Sequence, residues 1–318
     1  SGLLGFWLLP VLRALKAGQS VREIGPTWHN YKAGTPLMGG LMFIFALVIC
    51  LLIAIPVMED FSVFYVLALG LCFGLVGFLD DYCKVKFKRD LGLTALQKML
   101  LQLAVSAIFL YLLNRQGTLV SYLYIPFVNV SFYIHPLLYI FFAMFVIVGC
   151  VNAVNLTDGV DGLSSSVTLP VMVFFTALAV KQGKYDLALL PASLVGGLIA
   201  YLFYNWHPAK VFMGDTGSLF LGGAVCGLAG AFVIESLGGS PLTLLPLLYM
   251  PAGYVCGLLT VHNFRDSAAV RALYTAVSSA GRAVFTLIAV ILTGGDEGQM
   301  LITFKFDKSG TAYASTIQ

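Results

Sequence analysis

The sequence predicts an all-α polytopic membrane protein, and two observations support that prediction. Only 10% of the 318 residues are charged and 59% are hydrophobic, whereas soluble domains usually carry about 25% charged residues. The apolar residues also fall in blocks of roughly 20, the helical length that spans a bilayer core of about 30 Å. We expect helices because lipid offers no partners for unpaired backbone groups.

The positions of the apolar blocks predict nine or ten membrane-spanning helices within a single domain, 1–318. A weaker block at 272–293 is interrupted by Arg282. The run from Leu3 to Leu12 is too short to span and lacks a preceding basic region, so it is not a cleavable signal peptide. We interpret it as a truncated first helix of a native chain that begins earlier. The complete blocks are 37–58, 62–79, 96–113, 136–154, 163–180, 187–204, 218–236 and 241–261.

The loops between these blocks alternate between two sides of the membrane. Twelve lysines and arginines lie on or beside the side that receives 14–36, 80–95, 155–162, 205–217 and 262–271, and three lie on the other side. The positive-inside rule makes the first side cytoplasmic. The stretch 117–135, rich in β-branched and aromatic residues, predicts a short hairpin at the opposite, extracytoplasmic surface.

The adjacent acids Asp80 and Asp81 stand at the end of block 62–79. Carboxylates there are tolerable at an aqueous mouth and costly in hydrocarbon. They could act as a base or attract Mg²⁺ that bridges to substrate phosphates, or they could simply be a solvated helix end. Lys84 lies three residues after Asp81, within a basic run that could equally anchor the loop to anionic lipid headgroups.

A second acidic motif runs from Asn152 to Gly162. Asp158 and Asp161 are three residues apart and would share a face if this segment were a helical turn, with Asn155 three residues further back. Three acceptor side chains between two apolar helices favour a binding function. The alternative is an ordinary Asn/Asp/Gly turn.

Asp215 lies between two glycines immediately before block 218–236. The start of a helix offers free N–H groups to an anion, which predicts a seat for a phosphate or a metal–phosphate group. Alternatively, Asp215 or Ser218 caps the helix. A further motif, 29–40, contains Lys32, a candidate phosphate contact, followed by a Pro and two Gly that would allow close backbone packing.

Five carboxylates therefore converge on one membrane face: Asp80, Asp81, Asp158, Asp161 and Asp215. Phosphoryl transfer needs a metal ion and cations to neutralise a diphosphate, and little covalent machinery. A secondary transporter is the alternative from another class, but such proteins tend to place ion sites near the bilayer midplane and often contain inverted repeats. The net charge of +3 says little about partners, and no motif predicts a nucleic-acid partner.

Four of these motifs resemble those of the phospho-N-acetylmuramoyl-pentapeptide transferases (MraY), within the polyprenyl-phosphate N-acetylhexosamine-1-phosphate transferase superfamily. They are Gly-Thr-Pro-Leu-Met-Gly-Gly, Gly-Phe-Leu-Asp-Asp-Tyr-Cys-Lys-Val, Asn-Leu-Thr-Asp-Gly-Val-Asp-Gly-Leu and Phe-Met-Gly-Asp-Thr-Gly-Ser-Leu. The resemblance covers about residues 16 to 236, with the motifs in the family's order. A GlcNAc-1-phosphate transferase of the same superfamily is the nearest alternative.

The resemblance implies ten transmembrane helices, a cytoplasmic active-site cleft and a homodimer in the bacterial inner (plasma) membrane. It implies transfer from UDP-N-acetylmuramoyl-pentapeptide to undecaprenyl phosphate, with lipid I and UMP as products, as a step of peptidoglycan synthesis in cell-wall biogenesis. Mg²⁺ is the implied cofactor.

The resemblance also implies roles for individual residues. Asp215 resembles the Mg²⁺ ligand, and Asp80, supported by Asp81, resembles the base or the acid that handles the lipid phosphate. The implied substrate-binding residues are Lys32, Lys84, Lys98, Asn155, Asp158, Asp161, Asn205, Phe212 and Gly214.

The C-terminal region departs from the family's pattern. The family carries closely spaced histidines in its last large cytoplasmic loop, whereas His262 is the only histidine after His207 in this sequence. The stretch 262–318 matches none of the family's motifs. An inactive relative that keeps the fold is therefore a third alternative.

Overall fold

A computed structural model describes residues 1–14, 34–87, 92–116, 122–125, 130–159, 161–206, 208–235, 301–306 and 312–317. The chain groups into two compact units, Ser1–Arg265 and Asp266–Gln318. The boundary falls close to residue 262, the start of the stretch that matches none of the family's motifs. The single-domain organisation stays a prediction.

The first unit is a bundle of apolar helices. Five of them are long and apolar enough to cross a membrane, namely α3 to α7, so the chain is a membrane protein by length and composition. A short 3₁₀ turn, Ile55–Val57, continues α2. The helices are α1 (Gly2–Ala14), α2 (Leu41–Ala54), α3 (Val63–Phe87), α4 (Ala95–Arg115), α5 (Pro136–Thr157), α6 (Leu163–Lys181), α7 (Tyr185–Asn205) and α8 (Gly214–Glu235).

The predicted blocks agree with these helices except at functional ends. α3 was expected to end near residue 79, but it continues to Phe87, which places Asp80 and Lys84 on a helix and not in a loop. The hydropathy falls at Asp80 while the backbone remains helical. Helix α5 also runs past its predicted block, to Thr157, and Asp158 lies at its C-terminal cap. The helical turn that would put Asp158 and Asp161 on one face is therefore not formed. Blocks 241–261 and 272–293 lie outside the described residues, and the ten-helix count stays a prediction.

Two strands form the hairpin that the sequence predicts within 117–135. Strand β1 (Tyr122–Ile125) pairs antiparallel with β2 (Val130–Tyr133). In the second unit, β3 (Leu301–Phe306) pairs antiparallel with β4 (Ala312–Ile317).

Contacts between loops confirm that the helix ends fall into two groups. At one end, Asp186 Oδ2 accepts the backbone N–H groups of Glu59 and Asp60 at 3.0 and 2.8 Å, and Gln116 Nε2 donates to the Tyr65 hydroxyl at 2.9 Å. The other end gathers the acidic motifs described below. These contacts separate two ends of the described bundle, and the alternation of loops across a membrane stays a prediction.

The close approach of α3 to α8 forms the centre of the bundle. Most of α8 is fully buried, including Phe220, which lies against glycines of α3. At Gly77 a side-chain Cβ would overlap the carbonyl oxygen of Asp215. Only glycine permits this approach, and the approach brings the acids of α3 beside the start of α8.

Candidate active site

Three carboxylates meet at this end of the bundle. Asp80 and Asp81 come from α3 and Asp215 from α8, and one oxygen of each lies within 4.8 Å of the others. Lys84, one helical turn beyond Asp80, reaches all three acids: its Nζ lies 2.6 Å from Asp80 Oδ2, 2.7 Å from Asp215 Oδ2 and 3.5 Å from Asp81 Oδ1. A single ammonium group thus offsets much of the repulsion between the three charges.

Asp215 is held from two further helices. Lys98 of α4 places its Nζ 3.0 Å from Asp215 Oδ2, and Asn155 of α5 donates from Nδ2 to Asp215 Oδ1 at 2.5 Å. Asn155 Nδ2 also lies 2.8 Å from the Ser218 hydroxyl. Each carboxylate oxygen of Asp215 therefore has a defined partner, which fixes the orientation of the group.

Asp81 caps the first turn of α8 although it belongs to α3. Its fully buried carboxylate accepts the N–H groups of Asp215 at 3.2 Å and Thr216 at 2.9 Å, and the Thr216 hydroxyl at 2.7 Å. The first N–H groups of a helix lack partners within it, and the helix dipole favours an anion there. The expected anion seat is thus filled by Asp81, while the Ser218 hydroxyl donates to the Gly214 carbonyl at 3.0 Å.

Asp80 is nearly buried and has two fixed partners. Its Oδ1 accepts the N–H of Leu93 at 2.9 Å, and its Oδ2 faces Lys84. Asp80 therefore holds the segment before α4 as well as the central ammonium group. That segment leads into a capping box formed by Thr94 and Gln97, which starts α4.

The segment from Pro36 to Gly40 holds the chain that leads into α8. The N–H groups of Gly39 and Gly40 donate to the carbonyls of Phe212 and Met213 at 2.8 and 3.0 Å, and the N–H of Phe212 donates to the Pro36 carbonyl at 2.8 Å. This pairing explains the close backbone packing expected of the motif.

Gly214 follows that segment with a φ of +73°, a conformation that favours glycine. A Cβ at this position would lie 2.5 Å from Asp81 Oδ2. A larger residue would therefore disturb the cap on α8 directly.

Asn205 links the turn after α5 to the loop before α8. It is buried, its Oδ1 accepts the N–H of Gly162 at 2.9 Å, and its Nδ2 donates to the Val211 carbonyl at 2.9 Å. Asp161 Oδ2 accepts the N–H of Ala209 at 3.2 Å in the same junction. Both side chains thus shape the turn that follows Asp158, the residue at the end of α5.

The structure brings together most of the residues that the sequence singled out. Lys32, His207 and His262 lie outside the described residues. Sequence reasoning gave no role to Thr216, or to Gln102 and Asn152, whose amides pair between α4 and α5. A buried polar residue in a membrane block is itself a signal, because such residues are rare and costly there, and it could have identified Gln102.

The acid cluster has the donor set of a divalent-cation site. Carboxylate oxygens are the ligands that Mg²⁺ prefers, and the three groups are close enough to share one ion. The side chain of Asp215 is 16% exposed, whereas those of Asp80 and Asp81 are 4% and 0% exposed. Asp215 is therefore the acid that an ion from solvent reaches most directly.

Comparisons with known proteins give the chain a family. Residues 63–233, more than half of the chain, match the model of glycosyl transferase family 4. A protein of Bacillus pumilus named phospho-N-acetylmuramoyl-pentapeptide-transferase is 43% identical over 252 residues, which cover 74% of this chain and 77% of that protein.

Two further proteins with the same name give similar matches. The Clostridioides difficile protein is 44% identical over 242 residues, covering 74% of each chain. The Heliobacterium modesticaldum protein is 48% identical over 228 residues, covering 71% of this chain and 70% of its own. The matched region contains every residue of the acid and lysine cluster, and we conclude that this chain belongs to glycosyl transferase family 4, among the phospho-N-acetylmuramoyl-pentapeptide-transferases.

Proposed function

We propose that this chain transfers phospho-N-acetylmuramoyl-pentapeptide from its UDP conjugate to undecaprenyl phosphate, which gives lipid I and UMP in peptidoglycan synthesis. The observation that carries this proposal is the meeting of Asp80, Asp81 and Asp215 with Lys84 and Lys98 at one end of an apolar bundle. A phosphoryl transfer between a soluble diphosphate and a membrane lipid needs such a charged site at the membrane surface.

The two lysines are the groups that would contact phosphate oxygens. Their side chains are 23% and 18% exposed, more than either acid of α3. An ammonium group is a compact point charge that can offset charge on a diphosphate or on a leaving phosphate. Lys84 and Lys98 already approach Asp215 from different helices, so a phosphate bound beside Asp215 would meet both. Lys32 remains a predicted phosphate contact.

Asp215 is the proposed principal ligand for Mg²⁺, with Asp80 close enough to assist. When bound, Mg²⁺ would supply charge neutralisation to the diphosphate. Asp81 contributes by holding the backbone of Asp215, because its own oxygens are committed to the start of α8. This assignment makes Asp81 a positioning residue for the metal ligand.

The reaction forms one bond and breaks another at the same phosphorus. An oxygen of the lipid phosphate attacks the β-phosphorus of the UDP-sugar, and the bond from that phosphorus to the oxygen bridging to the α-phosphorus breaks. The bridging oxygen leaves with UMP. Asp80, buried in the acid cluster with Lys84 Nζ 2.6 Å from its Oδ2, is the group that would keep the attacking phosphate deprotonated. A two-step route through a covalent intermediate would use the same groups.

The turn after α5 is the proposed nucleotide-sugar site. Asn155, Asp158 and Asp161 follow one another from the acid cluster along this turn. Asn205 acts there by fixing the turn, since its side-chain oxygen and nitrogen each form a hydrogen bond with a backbone group. Phe212 and Gly214 lie on the adjoining segment, which Pro36 and Gly39 hold in place.

The proposal also assigns a membrane orientation and an assembly. The end that carries the acid cluster would face the cytoplasm of a bacterial inner membrane, where soluble nucleotide sugars are found. The positive charge of the same loops supports this orientation. The homodimer implied by the family resemblance stays part of the proposal.

The test is UMP release by the purified full chain in detergent, with UDP-N-acetylmuramoyl-pentapeptide, undecaprenyl phosphate and Mg²⁺. Wild-type protein should release UMP with matching lipid product, and Asp215→Asn should lose at least about 100-fold in kcat, as expected when a group that stabilises transition-state charge is removed. Asp60→Asn is the matched control, because Asp60 lies at the opposite end of the bundle. Equal turnover in wild type and Asp215→Asn would refute the assignment.

Two changes to the assay separate the alternatives. UDP-N-acetylglucosamine as donor identifies a GlcNAc-1-phosphate transferase if it is used in preference. Flux across proteoliposomes without lipid product would instead favour a transporter. No UMP from protein that still binds the nucleotide sugar would indicate an inactive relative.

A further inference from the structure

Gln102 of α4 and Asn152 of α5 form a reciprocal amide pair inside the bundle. Asn152 Nδ2 donates to Gln102 Oε1 at 2.6 Å, and Gln102 Nε2 donates to Asn152 Oδ1 at 3.3 Å. Asn152 Nδ2 also lies 2.8 Å from the Val148 carbonyl one turn earlier. Two carboxamides that exchange two hydrogen bonds fix both the distance and the axial register of the helices that carry them.

The pair matters because it is the directional contact in the middle of α4, whose other polar ties lie near its two ends, from Leu93 to Asp80 and from Gln116 to Tyr65. Within the described part of the chain, the buried residues of α4 are Gln102, Ser106 and Leu110, a single stripe with one apolar member. In the most apolar 18-residue stretch of α4, only 17% is buried inside the bundle, against 56% in the corresponding stretch of α3. Apolar contacts are not directional and allow sliding, whereas a paired amide in hydrocarbon loses both bonds if the helix shifts.

The register of α4 and α5 decides whether two site residues reach Asp215. Lys98 is one turn before Gln102 on α4, and Asn155 is one turn after Asn152 on α5. Their side chains lie 3.5 Å apart, and both bond to the carboxylate of Asp215, on different oxygens. A slide of α4 by even a fraction of a turn would withdraw Lys98 from that carboxylate.

We propose that Gln102 and Asn152 are positioning residues that lock α4 to α5 so that Lys98 and Asn155 hold Asp215 from two sides. Neither amide touches the site, and they act through the helices that carry them. The inference rests on the proposed function in taking Asp215 as the centre of the reaction. Loss of a partner that orients a site residue typically costs about 10- to 100-fold in activity.

The experiment uses the full chain with Gln102→Met, which keeps the length of the side chain and removes the amide. We expect kcat per folded molecule to fall at least about ten-fold with KM for the nucleotide sugar changed less than about three-fold, in the range for an orienting partner. Gln102→Asn alone should also lose activity, and the exchanged pair Gln102→Asn with Asn152→Gln should recover most of it. Ile108→Ala, on the exposed face of α4, is the control and should match wild type.

A double-mutant cycle separates positioning from general support of the fold. If Gln102 acts through Lys98, Gln102→Met should lower kcat much less in a Lys98→Met background than in wild type. Effects that multiply in the double variant, or an exchanged pair no better than Gln102→Asn, would overturn the proposal. If Gln102→Met lowers only the amount of folded protein, the proposal is also overturned.

Hydrogen exchange gives a readout that does not depend on turnover. Backbone amides in the first two turns of α4 should exchange faster in Gln102→Met and return to wild-type rates in the exchanged pair. Wild-type rates in Gln102→Met would refute the lock. If wild-type protein released no UMP, the proposed function would fail while this measurement still tested the pairing.

Discussion

Replacement of Asp81 by asparagine is expected to loosen the start of α8 without changing the shape of the side chain. The carboxylate accepts three hydrogen bonds, one from the N–H of Asp215 and two from Thr216. Both Thr216 donors go to Oδ2, so the amide oxygen of asparagine can keep those two. The amide nitrogen must then face the N–H of Asp215, and two donors oppose each other.

The size of the effect follows from these contacts. Loss of one hydrogen bond to a charged group costs about 1.5–3 kcal/mol, and loss of the negative charge at a buried helix start costs up to about 2 kcal/mol. Relief of repulsion between Asp81 and the other two acids offsets part of this, which leaves about 2–4 kcal/mol. At about 2–4 °C per kcal/mol for domains of 150–250 residues, Tm should fall by roughly 4–16 °C.

The assay is thermal unfolding in detergent followed by intrinsic fluorescence, with UMP release measured on the same samples. Asp186→Asn is the matched control: its Oδ2 alone accepts the N–H groups of Glu59 and Asp60, so an amide oxygen keeps both bonds. The control should melt within about 2 °C of wild type, the range for benign surface changes. An Asp81→Asn protein as stable as the control would show that Asp81 does not secure α8.

Three further outcomes are expected. Gly77→Ala should lower Tm and reduce turnover at least about ten-fold, because its methyl group displaces the backbone of Asp215. Gly149→Ala is the control and should behave as wild type, because its methyl group meets nothing within 4 Å. Similar behaviour of the two variants in melting and UMP assays would contradict the close approach of α3 to α8. Lys84→Met should lower kcat about 100-fold. Lys84→Arg should also have a low kcat, since a planar guanidinium is a poor replacement for a point charge among three acids. Full activity in either variant would exclude a phosphate contact by Lys84. Chelation with EDTA should stop UMP release, and Mg²⁺ should restore it better than the larger Ca²⁺; turnover that persists in EDTA would exclude a metal requirement.

The sequence was informative about the bundle because hydropathy reports the membrane directly. The apolar blocks predicted the ends of α2 to α8 to within about four residues, apart from the C-terminal end of α3, and the run Leu3–Leu12 corresponds to α1. The acids Asp80, Asp81 and Asp215 were identified because charge beside an apolar block is costly unless it has a purpose. The predicted alternation only placed these acids on one membrane face, whereas their meeting depends on the close packing of α3 against α8 at Gly77.

The sequence could not predict which acid caps a helix and which remains open to solvent. A hydropathy profile marks where the membrane ends and not where a helix ends, so the extension of α3 to Phe87 was missed. The cap of α8 comes from Asp81, 134 positions away in the chain, and local capping rules consider only neighbouring residues. The pair of Gln102 and Asn152 also depends on which faces of two helices meet.

The charge balance of the site explains why one of its acids is buried and another is open. Three carboxylates and the two ammonium groups of Lys84 and Lys98 leave one net negative charge. Asp81 is fully buried, and its carboxylate binds the N–H groups at the start of α8. Asp215 is partly exposed and faces both lysines and the solvent. Under the proposed function, this balance would let the site accept a cation and then a polyanionic substrate, with the lysines turning from Asp215 to phosphate oxygens while Asp81 keeps the backbone of Asp215 in place.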